Sequence, residues 1–235
     1  MSGYYVALGD SMSIDDYAGG PGRGAASLLL RYRNPDLPQW RGGDLAEAGY
    51  DARLLARDGA TTIDVLDRQV PAIDRPPTLV TITMGGNDLL AAYGDTDAAR
   101  AAVGRVAAQG EAVLTRLRAA AGGGCRIVLS TVYDPSDGTG AVPTSGLPPW
   151  PDGPAMIQLL NAALTGLAER HGAALADVHG HFLGHGVTVG DPSQPQPRPA
   201  NRELWYCGTV EPNAWGAAQI RELWWRALGD GHDLW

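Results

Sequence analysis

The chain contains no lysine; all 18 of its basic residues are arginine, set against 26 acidic ones. The resulting net charge of −8 excludes nucleic acid and anionic membrane as principal partners, because like charges repel at both surfaces. Cysteine is nearly absent. Cys125 and Cys207 are too few for a disulfide framework, so two thiols are expected, with a single bridge as the alternative. No stretch approaches the ~20 consecutive apolar residues of a membrane span. The opening MSGYYVALGDS lacks a basic start leading into a long apolar run, so no secretory leader is expected and a cytoplasmic location follows. No cofactor-binding fingerprint stands out, and neither a cofactor nor a metal is expected.

What remains is ordinary globular material. With 235 residues and 44% hydrophobic composition, the chain is long enough to bury a sizeable core, and one domain over residues 1–235 is expected. Short apolar runs read as strands at 4–8, 52–56, 78–84, 126–132 and 173–178. Helical periodicity fills the gaps. Val103, Val106, Gly110, Val113, Leu114 and Leu117 recur at three- and four-residue steps in 98–121, before three glycines at 122–124. Met156, Leu159, Leu160, Leu164 and Leu167 do the same in 153–171, and Ile220, Leu223, Trp224, Ala227 and Leu228 near the end. Strand–helix alternation implies an α/β fold with a parallel sheet covered on both faces. Two Pro/Gly-rich stretches, 134–154 and 184–201, follow strands. In such sheets the loops after strands carry the ligand-binding edge, so these are expected to shape a site.

Three short motifs sit at that edge. In ALGDSMS the first strand runs into Gly9, Asp10 and Ser11, where a serine nucleophile could stand, or merely a turn. In RDGATTIDV, after the second strand, Gly59 can present a bare N–H, while Thr61 or Thr62 can cap a helix. In ITMGGNDLL, after the third, Asn87 offers an amide donor or caps its own helix. Together a Gly59 N–H and an Asn87 amide could form an oxyanion hole.

GDS, the glycine and GGND, in that order and at that spacing, resemble the SGNH (GDSL-type) hydrolase family over nearly the whole chain. The resemblance implies a flavodoxin-like, doubly wound, five-stranded sheet of order 2-1-3-4-5 in three layers. It also implies hydrolysis of a small-molecule ester or acyl substrate through an acyl-enzyme. Ser11 would be the nucleophile, with the Ser11 N–H, the Gly59 N–H and the Asn87 amide holding the oxyanion.

The last block departs from that family. Where it has Asp-x-x-His before Pro and Asn, this chain reads GTVEPNAWG, so Glu211 occupies the His position and Gly208 the Asp position. Three readings follow. In the first, Glu211 is the base; a carboxylate is ordinarily about two pKa units weaker than His, and its place near a helix start would weaken it further. Alternatively His181 or His185, in DVHGHFLGHG after the fifth strand, serves as the base. The local reading of His179, His181 and His185 is as loop residues; their spacing lacks a partner set for zinc. Finally, the pocket binds a ligand without hydrolysis, or serves an acyl-transferase or cyclase. Asp15, Asp16 and Asp134 are either site-edge or turn residues. Trp150 and Trp205, in or beside the long loops, are candidates for substrate contact; Trp224 and Trp225 read as packing residues.

Overall fold

In the computed structural model, residues 3–32, 43–121, 124–142, 145–189, 204–208 and 210–229 are described. Five parallel strands form one sheet in the order β2-β1-β3-β4-β5: β1 (Tyr4–Leu8), β2 (Asp51–Leu54), β3 (Leu79–Ile82), β4 (Arg126–Ser130) and β5 (Ala174–Ala176). Order and direction match the expectation. Every residue of β1 and β3 is buried, whereas the edge strand β2 is half exposed. A central strand covered on both faces is largely apolar, and this is why β1 and β3 read as apolar runs; the hydroxyl of Thr81 within β3 is bonded to the buried Tyr5 hydroxyl.

Successive side chains of a strand point to opposite faces. Tyr4, Val6 and Leu8 enter a core shared with α4 (Thr96–Ala121) and α5 (Gly153–His171). Tyr5 and Ala7 enter the other core, with α1 (Ala25–Leu30), α6 (Val178–Phe182) and α7 (Ala214–Ala227). This gives three layers. The periodic residues of α4 and α5 share one core, except Leu159, which faces outward from α5 and is exposed; at Gly110 an added Cβ would lie 2.7 Å from Leu167 Cδ1, so the helices touch closely there. α4 ends at Ala121; Gly122 and Gly123 of the expected stop lie outside the described residues. Gly172 caps α5 in the left-handed conformation.

Shorter elements dress the binding edge. A helical stretch begins as α2 (Thr62–Asp64), passes through a π turn at Val65–Gln69 and closes as a 3-10 turn at Val70–Ala72. α3 (Gly86–Leu90) follows β3. A two-stranded antiparallel ribbon, β6 (Tyr206–Cys207) with β7 (Glu211–Pro212), precedes α7 and pairs Cys207 with Glu211. The loop after β4 folds over the sheet edge, as expected; most of 184–201 lies outside the described residues. Cys125 and Cys207 are both free thiols. Among the described residues no helix is long and apolar enough to cross a membrane.

Candidate active site

The turn carrying Ser11 is held from three sides. At Gly9 the backbone adopts φ 125°, and a Cβ would lie 2.1 Å from the Thr83 carbonyl oxygen, so no other residue fits. The Gln69 side chain clamps the same residue: Gly9 N–H donates to Gln69 Oε1 (2.7 Å) and Gln69 Nε2 donates to the Gly9 carbonyl (2.8 Å). The Thr83 hydroxyl accepts from Asp10 N–H (3.1 Å) and bonds Ser13 Oγ (3.1 Å). Met12 N–H donates to Asp10 Oδ1. Ser11, between these anchors, is 9% exposed and lines a cavity of about 120 Å³.

Asn87 lines the same cavity, from the first turn of α3. It does not cap that helix. Its Nδ2 donates to the Ala60 carbonyl (3.0 Å), tying it to the turn that contains Gly59; a primary amide has a second N–H to offer. Gly59 itself is exposed, with φ 67° and open space where a Cβ would stand, and it is not among the lining residues. The neighbouring Asp88 fixes the two segments together, accepting from Thr62 N–H (2.8 Å) and Thr62 Oγ1 (2.9 Å). Thr61 caps α2 in a reciprocal capping box with Asp64.

Acidic and phenolic groups crowd the serine. Asp10 is buried, and its pKa is pushed up to about 6, chiefly by loss of hydration, with the Thr83 hydroxyl and the Met12 N–H pulling it back. Tyr133 lines the cavity too, its ring stacked on Phe182 and edge-on to Tyr206. Burial raises its pKa well above the usual value, and the nearby negative charges of Asp10 and Glu211 add to this, so it stays a neutral phenol. Asp134 proves to be both site edge and turn: it is buried, lines the cavity and accepts from Ser136 N–H, Ser136 Oγ and Gly138 N–H. Asp15 braces its own loop by accepting from Gly22 and Gly24 N–H.

Glu211 stands on β7, two residues ahead of the Asn213 cap of α7, and not at the helix start itself. It is Asn213 whose oxygen accepts the free N–H groups of Trp215 and Gly216. Val210, which lines the cavity, donates its N–H to Glu211 Oε2 (3.1 Å). Opposite, Gly208 adopts φ 56°, and a Cβ there would lie 3.1 Å from Glu211 Oε2. The ribbon is joined to the serine loop by the Cys207 thiol, which meets the Tyr17 carbonyl (3.5 Å).

Both candidate histidines lie elsewhere. His181 Nε2 bonds Gln219 Oε1 on α7 (2.8 Å), and His185 is fully buried, stacked on Trp205. Neither lines the cavity with Ser11, and neither does Glu211, although the adjacent Val210, which donates to it, does. Of the two tryptophans, Trp150 lines it; Trp205, expected beside it, is 2% exposed and packs against Phe182 and His185 in the core, because its own backbone bonds His185 and Asn213. Among the described residues no three His, Cys, Asp or Glu side chains gather as a metal-binding group.

A model of the GDSL-like lipase/acylhydrolase family matches residues 7–218, from the strand before Ser11 into α7. The chain belongs to this family. This acylhydrolase is therefore an esterase-type enzyme acting on ester or acyl groups. Solved structures share its fold. The extracellular lipase of Streptomyces rimosus superposes with a TM-score of 0.64 at 23% identity, covering 96% of this chain and 100% of that one. The acetylxylan esterase of Geobacillus stearothermophilus gives 0.66 at 15% identity over 97% and 94%. Phospholipase A1 of Streptomyces albidoflavus gives 0.63 at 21% over 98% and 99%. No curated protein matches the sequence.

Several residues that build this acylhydrolase site were not singled out by the sequence. Gln69, Thr83 and Asp88 reach across 60, 73 and 26 positions to hold the serine turn and to tie the segments carrying Gly59 and Asn87 together. Nothing in its local pattern marks Gln69, and Thr83 and Asp88 lie within ITMGGNDLL without a role that the motif alone assigns. Asp10 was visible within GDS, but its burial, which makes it titrate near neutrality, was not.

Proposed function

We propose that the enzyme hydrolyses a carboxylic ester through an acyl-enzyme on Ser11, with Glu211 as general base. The observation that carries this is the shared cavity: Ser11 and Asn87, from the ends of β1 and β3, line one space bounded by apolar side chains. The Ser11 hydroxyl attacks the ester carbonyl carbon and its proton passes to the Glu211 carboxylate. The carbonyl oxygen, now an alkoxide, is held by the N–H groups of Ser11 and Gly59 and by the free Asn87 N–H. Collapse of this intermediate breaks the bond to the alcohol oxygen, which takes the proton from Glu211. Water then repeats the sequence on the acyl-serine and releases the acid.

The exchange at the two family positions favours Glu211. A base of this type carries its own charge and requires no orienting carboxylate. An Asp at 208 would set a second negative charge within reach of Glu211 Oε2, which the glycine avoids. The engagement of His181 by Gln219 and the burial of His185 leave the carboxylate as the better candidate.

Two measurements test the reading. A fluorophosphonate probe should add once to the intact protein, on Ser11, and Ser11→Ala should abolish the adduct; an unlabelled wild type would favour a binding protein. On a p-nitrophenyl ester, Glu211→Gln should lower kcat by roughly 10²–10⁴-fold, the usual worth of a general base. Full activity in Glu211→Gln, with loss in His181→Ala or His185→Ala, assigns the base to a histidine.

A further inference from the structure

Besides Ser11 and Asn87, the polar side chains Asp10, Tyr133, Asp134 and Ser136 line the cavity; the rest of its wall is largely carbon. α3 contributes Leu89, Leu90 and Tyr93, α5 contributes Ile157, and the loop before α5 contributes Trp150. None of these is charged. The one hydroxyl among them, on Tyr93, donates to the Pro148 carbonyl (2.7 Å) and so is already engaged.

The Trp150 ring is held in place. It packs edge-on against Tyr93, with centroids 5.1 Å apart at 63°. Its backbone N–H donates to the Gly140 carbonyl and its carbonyl accepts from Gly153 N–H. A Cβ on Gly153 would come within 3.1 Å of the ring, so the helix start closes down directly upon it. A side chain held by a helix, a loop and a second aromatic has little freedom to swing aside for a ligand.

We propose that this carbon-walled end receives the acyl group of the substrate, that the acyl group is short, apolar and uncharged, and that Trp150, braced by Tyr93, is the stop that limits its length. The proposal rests on Ser11 being the nucleophile. Which end of the ester lies here follows from proton traffic. The alcohol leaves by taking a proton, so it must face the base; the wall of Leu89, Leu90, Tyr93, Trp150 and Ile157 has no group free to give one. The acyl part is left to that wall. Its size follows from volume. An apolar cavity of about 150 Å³ accommodates benzene, so about 120 Å³ suits roughly four to six carbons. A terminal carboxylate would be buried there without a partner.

The test is kcat/KM along the p-nitrophenyl esters from acetate to decanoate. The wild type should peak at butanoate or hexanoate and fall at octanoate. Each methylene newly accommodated is worth about fourfold, so Trp150→Ala should raise the octanoate-to-butanoate ratio by roughly 15-fold, for two methylenes. Ile157→Phe should act in reverse, losing hexanoate while keeping acetate. A succinyl monoester should react at least about 100-fold more slowly than butanoate, as expected for an unpaired buried charge. Unchanged length profiles in both variants overturn the proposal, as does a succinyl ester that matches butanoate. Should Trp150→Ala fail to fold, Ile157→Phe decides alone, in either direction. A Ser11 adduct of diisopropyl fluorophosphate alongside an unmoved profile sinks the Trp150 stop and leaves the nucleophile standing; no adduct, with activity kept in Ser11→Ala, sinks both.

Discussion

Asp10 offers a measurable consequence of burying a carboxyl group beside Ser11. Its pKa rises from the ordinary 3.8 to about 6, mainly because the folded protein removes it from water. The residue is 2% exposed, so solvent screening takes little from that effect. A shift of about two units corresponds to about 3 kcal/mol. The sign follows from proton binding. Between pH 4 and 6 the folded state holds a proton on Asp10 that the unfolded state has lost, so stability falls as pH rises through this window and stays lower above it. Asp10→Asn removes the charge and keeps an oxygen to accept the Met12 N–H. Urea unfolding of both proteins from pH 4 to pH 8 should show the Asn variant gaining about 3 kcal/mol on the wild type between pH 4 and pH 7. In a chain of this size that is roughly 6–12 °C in Tm. Asp64, Asp74 and Glu111, whose pKa values are lowered by their hydrogen-bond partners, pull stability the opposite way at lower pH; they are common to both proteins and cancel. A difference that stays within about 0.5 kcal/mol across the series, or falls as pH rises, would refute the claim that Asp10 is held buried and charged above pH 6.

Three further outcomes are expected. Asn87→Ala should cost kcat about 10²–10³-fold with a small change in KM, because the lost N–H serves the intermediate more than the substrate; a pure KM effect argues that Asn87 only binds. Gln69→Ala should destabilise the fold by about 1–3 kcal/mol, measured by denaturant, since it leaves the buried Gly9 N–H without its acceptor; activity should drop as the Ser11 turn loosens. Glu211→His alone should be nearly inactive, and adding Gly208→Asp should recover activity by supplying an orienting carboxylate beside position 211, with a base that titrates near pH 6.5; equal rates for the single and double variants would show that the two positions do not act together.

Much of this could be read directly along the chain. β1 and α5 fall on the expected residues, and β3, β4 and β5 lie inside the expected runs, because strands buried on both faces are written as largely apolar stretches. β2 begins one residue early and ends at Leu54: Leu55 and Ala56 continue the apolar run, but there the chain is turning toward Gly59. Ser11, Gly59 and Asn87 could be named because each follows a strand within a compact motif. The role of Trp150 and the different fate of Trp205 could not be distinguished, since both are tryptophans in or beside loops and only packing separates a cavity wall from a core.

The sequence by itself determined the sheet, its order through family resemblance, and the residues standing at its carboxyl edge; these depend on local periodicity and on motif spacing, which a linear string records. The tertiary structure decided which side chains hold that edge in place. Gln69 on Gly9, Asp88 on Thr62 and Gly208 facing Glu211 are contacts made in three dimensions. It likewise decided that His181 meets Gln219, that His185 stacks on Trp205 and that Asp10 loses its water. Hydration and long-range hydrogen bonding are properties of the folded surroundings, and no window of neighbouring residues contains them.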